Sequence, residues 1–414
     1  MVVVPFLVNG IHCYLYLIFR TEFFLIFFTT DIVQNQIFVT VINQTQTKLE
    51  LKNIFAIDCI YNFFIVLREI ATRMTDRFET TIHDIARKLN ISASTVSRAL
   101  NNNPIISEAT RQKIRQTAEE MGYRPNTLAA SFRTKRTNTI GVIVPLINRH
   151  FFSSVISGIE EVAYKSGFTV TISQSNDQFE KEAKIAHTLF TNRVDGIIIS
   201  IAMETRQFDH LKLFSAKNIP LVFFDRVVDE IDAHKIVADD FGGAYFVTKH
   251  LIEQGAKQIA HIGGPLNLKI YENRQAGYVK ALEDAGIKLN HSMIINNTLR
   301  REEGTEAIQT LLKDNNTIDA VFCANDTTAL SSIIYLKSIG KKIPEDILVM
   351  GFSNEPFSEV VTPSISTVQQ PGFLMGQKAA SLLIEQITNK SENHEFLTIV
   401  MPTDLIIRES SVRK

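Results

Sequence analysis

The 414-residue sequence predicts two unlike folded parts. The first is a small all-α unit of three short helices, and the second is a larger α/β core of two lobes built on doubly wound parallel sheets. Three observations predict this. Residues 81–122 hold three helix-like segments separated by short polar breaks. From Thr139 onward about nine apolar runs alternate with spacers of 12–25 residues. Charge divides along the same line. Residues 74–138 carry 11 Lys+Arg against 6 Asp+Glu, so +5, while residues 139–414 carry 27 against 33, so −6. The net −1 alone argues against a nucleic-acid partner, but a basic block joined to an acidic one points to a nucleic-acid module attached to something else.

Composition is that of a folded protein, with 45% hydrophobic and 21% charged residues. Cys13, Cys59 and Cys323 are too few and too scattered for a disulfide framework or a metal cluster, so a reducing cytoplasm and no metal or other cofactor are expected. Residues 1–73 stand apart. They hold 10 of the 28 phenylalanines but two alanines and one glycine. Arg20 and Glu22 interrupt the apolar run "YLYLIFRTEFFLIFF", which leaves no clean span of about 20 residues for a membrane anchor. No early basic region or small-residue cleavage site marks an export signal. The expectation is translated upstream sequence, with the functional start near Met74, no membrane contact, and no part in the fold argument.

The helices follow in order. "TIHDIARKL" places Ile82, Ile85, Ala86 and Leu89 on one helical face. "NIS" breaks it, and Ser92 is a good N-cap for a second helix over 93–101, whose Val96, Ala99 and Leu100 can face the first. "SEATRQKIRQTAEEMG" is a third, capped by Ser107 and closed by Gly122. "YRPNTLAASFRTKRTNT" is a basic connector with one short helix after Pro125. A stripe helix, a tight break and a capped helix with a polar outer face is the helix-turn-helix arrangement, whose second helix enters the major groove. Arg98 shares a face with Ser94 and suits a guanine edge, a contact worth about 1–3 kcal/mol of discrimination. The bland alternative is a surface helix with ordinary Ser/Thr capping.

The strand runs are "TIGVIVP", "FTVTISQS", "VDGIIIS", "IPLVFFD", "KIVADD", "QIAHIGG", "MIINNTL", "AVFCAND" and "ILVMGFS". Continuous apolar strands with helical spacers mean parallel sheets covered on both faces, and this number exceeds one ordinary sheet. Ligands in such folds sit at the carboxyl ends of strands. Those ends carry Ser200, Asp225, Asp239, Asn325, Asp326 and Ser353, a cleft lined with hydrogen-bonding groups. No glycine-rich phosphate loop, nucleophile elbow or His/Cys metal spacing is present, and "GGP" at 263–265 is too short for a dinucleotide fingerprint, so catalysis is not expected.

Residues 81–145, with D-I-A, "STVSR", S-x-x-T-R, G-Y-x-P-N and "TIGV", resemble the lac and purine repressor family (LacI/GalR). "IPLVFFDR", "NRQAGYVKAL", "AVFCANDTTAL", "IPEDILVMGFSN" and "TPSISTVQQP" extend the resemblance over 80–410. It implies a DNA-binding domain at 80–125, a hinge helix or linker at 126–138, and a periplasmic-binding-protein-like (type I) core at 139–414. The lobes would span about 139–225 with 370–400, and 226–369 with 401–414. By resemblance, Ala93, Ser94 and Arg98 face bases, and Ser92, Ser97 and Asn101 approach phosphates. Thr81, His83, Ser107 and Thr110 touch the DNA backbone, with His83 alternatively a solvated helix-start residue, and Asn126 is a further DNA-binding residue. Phe132 stands where the family's hinge wedge enters the minor groove; otherwise it is a linker residue. Effector positions carried over are Phe151, Phe152, Ser200, Asp225, Asp239, Arg274, Asn325, Ser353 and Gln370. Either phenylalanine has a core alternative. Ser353 and Asn354 depart from the family's aspartate, which makes transfer of a ligand identity unsafe. The expectation is a cytoplasmic homodimeric regulator of pseudo-palindromic operator DNA, controlled by a small effector, with a sugar favoured over a nucleobase. The competing class is an exported solute-binding protein of the same two-lobed architecture.

Overall fold

The computed structural model describes residues 80–123, 136–314, 317–389 and 395–413, together with four strands near the amino end. Those strands, Val2–Val8 (β1), Ile11–Arg20 (β2), Phe23–Thr30 (β3) and Val41–Gln44 (β4), pair antiparallel in chain order. Their β-branched and aromatic content favours extended chain. The backbone contacts separate two compact units, Met1–Pro125 and Asn126–Lys414.

In the first unit the three expected helices form as Ile82–Leu89 (α1), Ala93–Leu100 (α2) and Glu108–Glu120 (α3). Thr81 starts α1, and its N–H and hydroxyl both donate to Asp84 Oδ2, at 3.0 and 2.7 Å. Asn90 ends it in the left-handed region (φ 53°), so that Ile91 N–H returns to Ala86 O at 3.0 Å and the chain turns within two residues. Ser92 then caps α2 by accepting from Thr95 N–H at 3.2 Å. Ile85, Val96, Ala99 and Ile114 meet in a small core, with Leu89, Ile91 and Leu100 partly buried around it. Each large aliphatic side chain buried there stabilises the unit by about 1.5–3 kcal/mol.

The second unit holds twelve strands among the described residues. They are Thr139–Val144 (β5), Thr169–Gln174 (β6), Gly196–Ile199 (β7), Leu221–Phe224 (β8), His234–Ala238 (β9), Ile259–Gly263 (β10), Ile294–Asn296 (β11), Ala320–Cys323 (β12), Leu348–Met350 (β13), Thr367–Gln369 (β14), Thr398–Met401 (β15) and Asp404–Ile406 (β16). One parallel sheet has the order β15-β9-β8-β7-β5-β6, the other β11-β10-β12-β13, and β14 pairs antiparallel with β16 between them. The nine expected runs all became strands. The first crossing between lobes falls later than the expected 225/226 boundary, however. Asp225 follows β8 with a positive φ of 58°, and the chain loops back as β9 into the same sheet before leaving after Ala238.

Helices His150–Lys165 (α4) and Gly372–Thr388 (α12) cover the first sheet together. They approach at glycine: a Cβ at Gly158 would stand 2.1 Å from Phe373 O, and one at Gly376 would stand 2.1 Å from Val155 O. The other described helices of this unit are Phe179–Thr191 (α5), Asp209–Ser215 (α6), Asp240–Glu253 (α7), Lys269–Asp284 (α8), Arg301–Asp314 (α9), Asp326–Ser338 (α10) and Phe357–Val360 (α11).

Candidate functional site

Two sites arise from these elements. On α2, burial of Val96 and Ala99 turns the opposite side outward, so Ser94, Arg98 and Asn101 are exposed at helical spacing and Ser97 lies half-buried beside them. Ala93 does not stand clear with them; it is half-buried against the three-helix core. The other cations of the described three-helix region are mostly engaged: Arg87 with Asp84, Lys88 with Glu120, and Arg111 with Glu108. The Arg98 side chain makes no ion pair or hydrogen bond among the described residues. Thr81, Ser92 and Ser107 begin the three helices, where free N–H groups and the helix dipole attract anions. Ser107 Oγ also lies 2.8 Å from Thr110 Oγ1, and His83 is exposed on α1. Asn126 and Phe132 lie outside the described residues.

The second site is a cavity of about 140 Å³ between the carboxyl ends of the two sheets. Seven of the nine expected effector positions line it: Phe151, Phe152, Asp225, Arg274, Asn325, Ser353 and Gln370. Phe151 and Phe152 meet edge to face at 5.3 Å and belong to the lobe core as well as to the wall. Two positions do not reach it. Ser200 is fully buried, and its Oγ faces Arg226 N–H at 3.4 Å. Asp239 caps α7, accepting from Gly242 N–H at 2.8 Å. Both stand at strand ends, but their side chains point into the fold rather than the cleft.

The walls also hold residues the sequence reading missed. Asp177 follows β6, accepts from Met203 N–H at 3.0 Å and pairs with Arg226, which follows Asp225. Arg149 reaches from the start of α4 to the Thr327 hydroxyl on the other lobe. Beside it, His150 N–H donates to Glu355 Oε2 at 3.4 Å. Arg300 at the head of α9 is exposed on the wall. The strand-end rule could have found Asp177 and Arg226; Arg300 follows a three-residue strand and gave no such signal.

Arg274 is not a free arm. Its Nε and Nη2 donate to Asp240 Oδ1 at 2.8 and 2.7 Å, its Nη1 donates to Ala324 O at 2.7 Å, and its Cζ lies 3.7 Å over the Phe352 ring. Burial pushes the Asp240 carboxyl up to about 6 against the pull of Arg274. Burial likewise raises Asp225, with Arg226 and Arg274 opposing. Asp326 goes up to about 7, chiefly by burial, although the Thr367 hydroxyl (2.6 Å) and Glu355 N–H (2.7 Å) donate to it. Backbone strain collects here too. Asn176, Asp177, Asp225, Leu299 and Ser353, five of the eleven positive-φ non-glycine residues described, line this cavity. Leu299 has no polar side chain to ease that conformation, which costs on the order of 1–2 kcal/mol. Asn297 Oδ1 on its N–H (2.8 Å) and Asn325 Nδ2 on its O (3.2 Å) hold it there. Strain held by its surroundings clusters at binding sites.

A readable helix followed by a strained, charged cleft is matched by known families over nearly all of residues 81–409. "Bacterial regulatory proteins, lacI family" matches 81–126, and "Periplasmic binding proteins and sugar binding domain of LacI family" matches 137–409. The chain belongs to the LacI family. Among relatives, the ribose operon repressor of Halalkalibacterium halodurans is 32% identical over 332 residues, covering 80% of this chain and 97% of its own. The repressor PurR of Vibrio atlanticus is 33% identical over 330 residues, covering 80% and 98%. Among solved structures, the lac repressor dimer bound to operator and the anti-inducer ONPF has a TM-score of 0.72 at 25% identity, covering 81% and 100%. The regulator CelR in complex with cellobiose has a TM-score of 0.62 at 27% identity, covering 80% and 100%. This LacI-family chain is therefore a DNA-binding transcription regulator with an effector-binding core. Among the described residues no helix is long and apolar enough to cross a membrane.

Proposed function

We propose that this regulator is a cytoplasmic, homodimeric repressor that reads a pseudo-palindromic operator with the exposed face of α2 and responds to a sugar in the interlobe cavity. The observation that carries the proposal is the cavity wall: Asp225 and the Arg226–Asp177 pair lie beside Phe151 and Phe152. Carboxylates accept from sugar hydroxyls, guanidinium groups donate to them, and an aromatic ring covers the apolar face of a pyranose or furanose. In this reading Ser94 and Arg98 contact bases, with Ala93 alongside. Thr81, Ser92, Ser97, Asn101, Ser107 and Thr110 position the DNA backbone, with His83 beside them. Residues 126–138 form the hinge, with Asn126 as a DNA-binding residue and Phe132 as the minor-groove wedge. No catalytic step is assigned. Likeness to a ribose operon repressor and to a cellobiose-bound regulator supports a sugar; likeness to PurR favours a nucleobase as the second reading.

The test selects a preferred duplex from random DNA with the full chain, then follows its binding by fluorescence anisotropy during titration with pentoses, hexoses, disaccharides and purine bases. A sugar that changes operator affinity by about 5–150-fold, the usual size of allosteric coupling, is the expected result. A response to purines alone would replace the sugar with a nucleobase. Absence of any selected sequence would remove the DNA-reading proposal.

A further inference from the structure

The cavity walls hold four guanidinium and four carboxyl groups, from Arg149, Arg226, Arg274 and Arg300, and from Asp177, Asp225, Asp326 and Glu355. Their engagements are unequal. Arg149 is held by Thr327, Arg226 by Asp177, and Arg274 by Asp240 and Ala324 O. Arg300 alone among these arginines makes no side-chain hydrogen bond or ion pair among the described residues. On the acidic side Asp177 is paired, Asp326 accepts two donors, and Glu355 accepts from His150 N–H. The position where the family resemblance leads one to expect an aspartate is Ser353, whose hydroxyl donates to Gln370 Oε1 at 2.9 Å.

One further donor lacks a partner. Arg226 Nε makes no hydrogen bond, yet its residue is only 5% exposed and lines the cavity. A buried donor without an acceptor is costly, and a ligand oxygen relieves that cost. Helices α4, α5, α8, α9 and α10 also begin at or next to this wall, which adds a positive field. That field is common to the fold. The unengaged Arg300 and the neutral Ser353 are what tilt this cavity toward donors.

Resting on the sugar reading above, we propose that the effector is an anionic sugar, its carboxylate or phosphate held by Arg300 at the head of α9 while its hydroxyls donate to Asp225. Carboxylate and phosphate are the same chemistry to a guanidinium fork. The ligand class determines which sources are tried.

The experiment uses isothermal titration and thermal shift of the full chain with matched sets: neutral aldoses, the corresponding uronates, and the corresponding sugar phosphates. The expected result is binding of a uronate or a sugar phosphate about tenfold or more tighter than its neutral parent. Arg300→Gln should then abolish that preference by weakening the anionic ligand about tenfold or more, and Arg300→Lys should retain part of it. A uronate preference names a sugar acid, and a phosphate preference names a sugar phosphate. Neutral sugars binding tighter than both anionic sets would overturn the proposal and leave the sugar reading standing. Purine bases binding where no sugar does would overturn both. An anion preference that survives Arg300→Gln with unchanged melting temperature would also overturn the assignment.

Discussion

Replacing Arg98 with alanine tests the reading of α2 most directly. In the described residues Arg98 is exposed and its side chain makes no hydrogen bond or ion pair, while Val96 and Ala99 hold the helix from the other face. The substitution should therefore leave the fold intact, and alanine raises helix propensity slightly. The whole loss then falls on DNA. A bidentate guanine contact carries about 1–3 kcal/mol, or roughly 5–150-fold, at one base position. If two copies read two half-sites, the full operator loses about 2–6 kcal/mol. The assay is repeated selection with wild type and variant, followed by anisotropy on single-base variants at several salt concentrations. The variant should bind the selected duplex and its mutant at the Arg98 position almost equally, and discrimination elsewhere should persist. A weakening uniform across sequences, with a salt slope reduced by about 1, would identify a phosphate contact instead and refute base reading by Arg98.

Two other perturbations follow from the core. Gly158→Ala places a methyl 2.1 Å from Phe373 O, where backbone must move, so α4 and α12 should separate at a cost of about 1–3 kcal/mol. Urea unfolding should show a lower midpoint with an unchanged slope, and an unchanged midpoint would contradict the close approach. Asp326 has a folded-state pKa raised to about 7 by burial, above its unfolded value of roughly 4. Its contribution to stability is therefore complete below the unfolded value and is lost as pH rises through about 7. Between those limits the stability of Asp326→Asn, measured by denaturant titration at successive pH values, should fall less with rising pH than that of wild type. Parallel profiles would show that the carboxyl titrates normally.

The strands and helices were legible because their apolar periodicity is strong, and three of the sixteen strands among the described residues show why some were not. β14 and β16 are three residues each, and β15 lies at a sheet edge with alternate exposure, so none forms a continuous apolar run. The lobe boundary was missed because a strand that returns to its own sheet reads the same as one that starts a new sheet. In the cavity, strand ends identified Asp225, Asn325 and Ser353, but strand ends alone do not fix side-chain direction. Ser200 turns toward Arg226 N–H, and Asp239 turns to cap α7. The engagement of Arg274 by Asp240 was equally hidden, since those residues are 34 apart in sequence and meet only through the packing of α7 against α8.

The contacts between the lobes set what an effector can accomplish. Across the cavity mouth the structure places Arg149 on Thr327, His150 N–H on Glu355, and Asn267 Nδ2 on Met203 O at 3.4 Å. These are polar contacts at or near solvent, each contributing about 0.5–1.5 kcal/mol net. An interface of that size leaves closure within reach of a small ligand, because a ligand shifts an equilibrium only by its differential affinity for the two states. The contacts do not act alone. Thr327 and Glu355 flank Asp326, which binds Glu355 N–H and the Thr367 hydroxyl in β14, one of the strands linking the lobes. A ligand that reaches Arg300 on one lobe and Asp225 on the other therefore adds its own bridges to a set that already ends on the connecting strand. The same coupling must run in reverse: operator binding that disfavours closure weakens the ligand by the same factor.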